Sequence, residues 1–104
     1  MTPTQRSLKH LRDQGHLAEV VERWIPQARK RHDLWGFVDI LSLSPEGEVV
    51  GVQATSLSNV SARVRKITEH ENIAAVRKAG VRVLVFGWGR DSKGKVRLRE
   101  VDVS

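Results

Sequence analysis

The chain has 104 residues, 39% of them hydrophobic and none of them cysteine. That length suits one domain around a single core, and the missing thiols exclude a disulfide framework and a thiolate metal site, so packing alone must hold the fold. Eighteen Lys and Arg against twelve Asp and Glu leave a net charge of +6, a balance that favours a polyanionic partner such as nucleic acid.

The opening stretch MTPTQRSLKHLRDQGH lacks the apolar core of a secretory leader. No run reaches the ~18 apolar residues of a membrane span, so a soluble protein of the reducing cytoplasm is expected. Thr4 is placed to N-cap a first helix through about Gln14, with Leu8 and Leu11 on one face and Gly15 suited to its stop. HLAEVVERW alternates well enough for a first strand, although its Ala and Glu content would also suit a continued helix. Pro26 breaks that pattern, and QARKRHDLWG reads as a polar connection with room for a short extension of the strand.

FVDILSL and EVVGVQA are the next two strands, joined by SPEGE. Proline sets the first turn residue and glycine supplies the left-handed position, which predicts a three-residue loop, Pro45-Glu46-Gly47, with Ser44 facing Glu48. Extending that register opposes Leu43 to Val49, Leu41 to Gly51 and Asp39 to Gln53. Thr55 then shares the face of Gln53, while Val38, Ile40, Val50, Val52 and Ala54 point the other way.

Val60, Val64 and Ile67 mark a helix begun near Ser58, with Asn59, Arg63 and Lys66 along one flank. TEHE has the spacing of a capping box, Thr68 with Glu71, which predicts a second helix from there through Ile73 and Val76 to Gly80. VRVLVFGW and KVRLREVDV are two final strands around the GRDSKG turn. The expected order is α-β-β-β-α-α-β-β: an α/β domain over residues 1–104 with a mixed sheet of about five strands flanked by helices.

A helix, a three-strand meander with an acid in its second strand and Gln-x-Thr in its third, then helix and strand, resembles the core of the PD-(D/E)XK, or restriction-endonuclease-like, nuclease superfamily. The helix ending in glycine, the DI of the second strand and the tail VFGWGRDSKGKVRLREV are most similar to archaeal Holliday-junction resolvases. VQATS is similar to the VQAK of Mrr-type restriction endonucleases. The resemblance implies a magnesium- or manganese-dependent endonuclease acting on branched or structured DNA, dimeric because two-fold junction cleavage needs two sites. It places Asp39 as the metal-binding aspartate, Gln53 as the second ligand and Thr55 where the family has lysine.

The chemistry needs hard oxygen ligands converging on a divalent ion, which polarises the phosphate and lowers the pKa of the attacking water. Threonine offers no cation, so Lys66 and Arg63 are the candidates to replace the family lysine, against the plainer reading of a solvated helix face. The first-helix acid of the family falls near Thr4 and Gln5, neither of them acidic, leaving Glu19 or Glu22 to compensate. Arg29, Lys30 and Arg31 form the densest basic run, suited to a phosphate backbone.

Asp39 has a structural alternative, as a buried acid paired with Arg31 or His32 or capping a neighbouring backbone. Trp24, Trp35 and Trp88 are expected to fill the core or cover a sheet edge, with Trp35 also placed to wedge against DNA. His10, His16 and His70 read as surface residues, and His32 as a candidate base. A nuclease fold that binds nucleic acid or a protein without cutting is the competing reading, and an assembly domain with incidental charge is a third.

Overall fold

In the computed structural model, which describes residues 1–104, helix α1 (Pro3–Asp13) is begun by Thr2 and not by Thr4. The Thr2 hydroxyl accepts the Gln5 N–H at 3.1 Å, and the Gln5 side chain accepts the Thr2 N–H at 2.9 Å. Pro3 fills the first helical position, where no N–H partner is needed, so this reciprocal box prevails over a cap two residues later. Gly15, at φ +88°, ends the helix as expected.

The segment expected to be one strand from His16 to Trp24 is divided. Strand β1 (Leu17–Val20) joins the main sheet, and the chain then leaves it to build a separate two-stranded ribbon from β2 (Arg23–Ile25) and β3 (Lys30–His32). Pro26 opens the connecting turn, its carbonyl accepting the Arg29 N–H at 3.2 Å. The polar stretch after it is therefore the return limb of a ribbon, not an extension of the first strand.

Strands β4 (Ile40–Leu43) and β5 (Val49–Ser56) are joined by the expected three-residue loop. Ser44 N–H donates to the Glu48 carbonyl at 2.9 Å, and Gly47 takes φ +89°. The ladder runs Leu43–Val49, Ser42–Val50, Leu41–Gly51 and Ile40–Val52, then stops. Asp39 does not pair with Gln53 across the ladder; its N–H goes to the Val52 carbonyl at 2.9 Å. A one-residue irregularity of this kind turns the preceding side chain to the opposite face. Val38, expected beside Ile40, instead packs with Phe37, Val60, Val83 and Val85. It lies over Gly51, where an added Cβ would sit 3.0 Å from Val38 Cγ2.

After β5 come a 3₁₀ turn (Leu57–Asn59), helix α2 (Val60–Thr68), helix α3 (Ile73–Lys78), strand β6 (Arg82–Arg90) parallel to β5, and strand β7 (Val96–Asp102) antiparallel to β6. Thr68 does not cap α3. It closes α2, its hydroxyl donating to the Arg65 carbonyl at 3.2 Å, and Asn72 precedes α3 without a side-chain cap. The final turn of α2 presents carbonyls that this hydroxyl satisfies locally, which leaves it unavailable to start the next helix.

The result is an α/β fold with a mixed five-stranded sheet in the order β1-β4-β5-β6-β7 and the ribbon attached to one end. α1 covers one face, where Leu11 packs with Ile40, Val50, Val52 and Phe86. α2 and α3 cover the other, where Val60, Ile67, Ile73 and Val76 meet Val83 and Val85. The half-buried Trp88 ties α1 to β6, its Nε1 donating to the Ser7 hydroxyl at 2.8 Å. Trp24 and Trp35 depart from the packing expectation: Trp24 is 57% exposed and Trp35 37%. The ribbon has no second layer to bury Trp24, and Trp35 occupies a left-handed turn at φ +57°. No helix is long and apolar enough to cross a membrane.

Candidate functional site

Where β4 stops pairing at Ile40, the N–H of Ala54 on β5 has no ladder carbonyl to meet. The Asp39 carboxylate takes that place, Oδ2 accepting the Ala54 N–H at 2.8 Å. The same oxygen lies 3.4 Å from Gln53 Nε2, so the two residues meet through their side chains as the sequence suggested. Both are buried, Asp39 at 5% exposure and Gln53 at 2%. Neither of the partners considered for a purely structural Asp39 is used: Arg31 is bonded elsewhere, and His32 is exposed on the ribbon. The third structural role considered, capping a neighbouring backbone, is met at Ala54.

The ribbon brings two more acids. Arg23 pairs with His32 at its open end, so the residues just outside that pair, Glu22 and Asp33, must come together. Carboxylate oxygens of Glu22, Asp33 and Asp39 all lie within 4.8 Å of one another. Gln53 Nε2 is 3.3 Å from Asp33 Oδ2, and Gln53 Oε1 is buried with no hydrogen-bond partner. Of the two compensating acids, Glu22 belongs to this cluster, whereas Glu19 lies on the surface 3.6 Å from Arg12. Asp33 escaped sequence reasoning. Its signal was the register of a ribbon around Pro26, visible only if RWI and KRH are paired.

These groups line an open pocket of about 310 Å³ together with Thr4, Arg31, Ala54 and Arg63. Thr4 at the start of α1 thus reaches the site with a hydroxyl. Arg31 Nη1 is 2.9 Å from Glu22 Oε1, and Lys66 Nζ is 3.7 Å from Asp33 Oδ2. Arg63 lines the pocket and makes no ion pair. Thr55 is buried on β5, two residues beyond Gln53, and does not line the pocket. Arg29 and Lys30 sit at the far end of the ribbon, exposed and outside the pocket.

Burial pushes the Asp39 carboxyl up from 3.8 to about 7, and the neighbouring Asp33 and Glu22 charges push the same way against the Ala54 N–H. A proton or a cation at Asp39 answers this, because a buried carboxylate beside two other acids resists ionisation. The donors are hard oxygens that suit magnesium or manganese. The two ends of the Gln53 amide are nearly equal in size, so a half-turn would exchange them and set the carbonyl toward Asp33 and Asp39, completing an oxygen set.

Histidine plays no part in this. His10 packs edge-on to Phe86 and Trp88 at 5.8 and 5.9 Å. His16 Nδ1 is 2.7 Å from the Ser42 hydroxyl, and His70 accepts the Asn72 N–H at 3.0 Å while packing on Phe37. All three are half-buried packing residues and not the surface histidines expected. No protein-family model, curated protein or solved structure matches this chain.

Proposed function

We propose that this protein is a divalent-metal-dependent nuclease with a restriction-endonuclease-like core, a soluble cytoplasmic enzyme that cuts branched or structured DNA, as a dimer. One observation carries the reading: three carboxylates and a buried amide with an unpartnered oxygen converge in a pocket bordered by Arg31, Arg63 and Lys66. The order of elements supports it, since α1, the meander β1-β4-β5, a helical crossover and the parallel strand β6 follow the pattern of the resemblance, with Asp39 just before β4 and Gln53 on β5.

A magnesium or manganese ion would polarise a phosphate oxygen and lower the pKa of the attacking water. Asp39, Asp33 and Glu22 supply the carboxylate oxygens that would hold it, joined by the Gln53 carbonyl once its amide is turned. Arg63, free of carboxylate partners, binds the phosphate, and Lys66 beside Asp33 takes the duty of the family lysine, stabilising charge at the phosphate. Hydrolysis adds the water oxygen to phosphorus and breaks the ester bond. The departing sugar oxygen takes a proton, leaving a phosphomonoester and a hydroxyl.

A second reading rests on Thr55, which is buried where the family lysine would reach out: the fold binds DNA without cutting it. Branched and linear DNA incubated with magnesium or manganese separates the two. Cleavage that disappears in Asp39→Ala supports the nuclease, and salt-sensitive binding without cleavage under either metal supports the binding module.

A further inference from the structure

Two of the three pocket carboxylates are paired before any metal enters. Glu22 Oε1 is held by Arg31 at 2.9 Å and Asp33 Oδ2 lies 3.7 Å from Lys66. These carboxylates, with Asp39, are the groups whose oxygens converge within 4.8 Å, and the buried Gln53 side chain is directed into the same cluster through Nε2, 3.3 Å from Asp33 Oδ2, while its Oε1 has no partner. A divalent cation must therefore compete with a guanidinium and an ammonium for its ligands.

Both competing heads sit on the solvent side, with the Arg31 side chain 70% and the Lys66 side chain 39% exposed, so each can swing off its acid without unfolding anything. Once displaced they join Arg63 as cations without carboxylate partners beside one pocket. A phosphate arriving there recruits the same heads and strips them from Glu22 and Asp33. The exchange runs in both directions, as linkage between two ligands requires.

We infer that Arg31 and Lys66 are exchangeable counter-ions that couple divalent-cation binding to phosphodiester binding, each ligand being held weakly until the other arrives. The inference rests on the metal-site reading above and adds the device that regulates it. It is distinct from direct attraction between metal and phosphate, because it requires that removing either counter-ion strengthen metal binding with no nucleic acid present.

Manganese titration of the whole protein, following free Mn²⁺ by electron paramagnetic resonance with and without a duplex oligonucleotide, tests it. The wild type is expected to bind Mn²⁺ weakly alone and more tightly with DNA, by about 5–150-fold if the coupling is of ordinary size. Arg31→Gln and Lys66→Gln should each bind Mn²⁺ several-fold more tightly than wild type without DNA and gain less when DNA is added. Lys93→Gln, in the β6–β7 turn and without an acidic partner, controls for net charge. If the two pocket variants bind Mn²⁺ no more tightly than Lys93→Gln, the counter-ion exchange is overturned while the metal site stands. If wild type binds no Mn²⁺ with or without DNA, both fall together. Thermal melting of each variant checks that the fold is intact.

Discussion

The Asp39 carboxylate accepts the Ala54 backbone N–H at 2.8 Å, standing in for a strand carbonyl where β4 has left the ladder. The acid proposed as a metal ligand is therefore also a piece of the sheet. Asp39→Ala removes the acceptor and leaves a part-buried N–H unpaired, at a cost of about 1–3 kcal/mol. Asp39→Asn keeps an acceptor oxygen and sheds the charge, so without metal at pH 8 it should be at least as stable as wild type. Urea unfolding of the three proteins at that pH distinguishes the roles; equal losses in both variants would refute the substitution of side chain for backbone.

Stability should also depend on pH through the same residue. Its folded value, about 7, lies above the unfolded value of 3.8, so the folded state binds the proton more tightly. The resulting stabilisation is complete below about pH 4 and disappears as pH rises through about 7, amounting to roughly 1–4 kcal/mol. Denaturant midpoints measured between pH 4 and pH 8 without divalent metal should decline in wild type and flatten in Asp39→Asn. A wild-type profile that rises across this window would contradict the assignment.

Helix α2, which carries Arg63 and Lys66, lies close enough to β6 that a Cβ at Gly87 would overlap the Val60 side chain. Gly87→Ala must push α2 outward. The expected cost is roughly 1–3 kcal/mol, and the pocket cations move with the helix. Thermal unfolding reads the first effect, and the salt dependence of DNA binding reads the second.

On the opposite face, Ser7 is fully buried, accepts the Trp88 indole N–H at 2.8 Å and donates to the Pro3 carbonyl at 2.8 Å. Ser7→Ala leaves the indole donor without its partner and should destabilise by about 1–3 kcal/mol. Tryptophan fluorescence should change along with the unfolding midpoint. Unchanged fluorescence and stability would show that this contact does not bind α1 to the sheet.

Proline and glycine in SPEGE dictate the loop between β4 and β5, and that loop sets the register as far as Ile40–Val52. Alternation and apolar runs likewise mark β6 and β7 without help from the rest of the chain. That is enough to set Asp39 near Gln53. Nothing local announces the irregularity at Asp39, which turns Val38 to the other face, because it depends on where β4 leaves the sheet. The ribbon is equally non-local. Three-residue segments have too little periodicity to declare themselves, and only their mutual pairing draws Glu22 and Asp33 together beside Asp39. Short-range turn chemistry and side-chain alternation were written in the order of residues. The full set of carboxylates, and the cations held against them, arose from contacts between segments far apart in the chain, whose strength depends on burial and proximity that only the folded protein supplies.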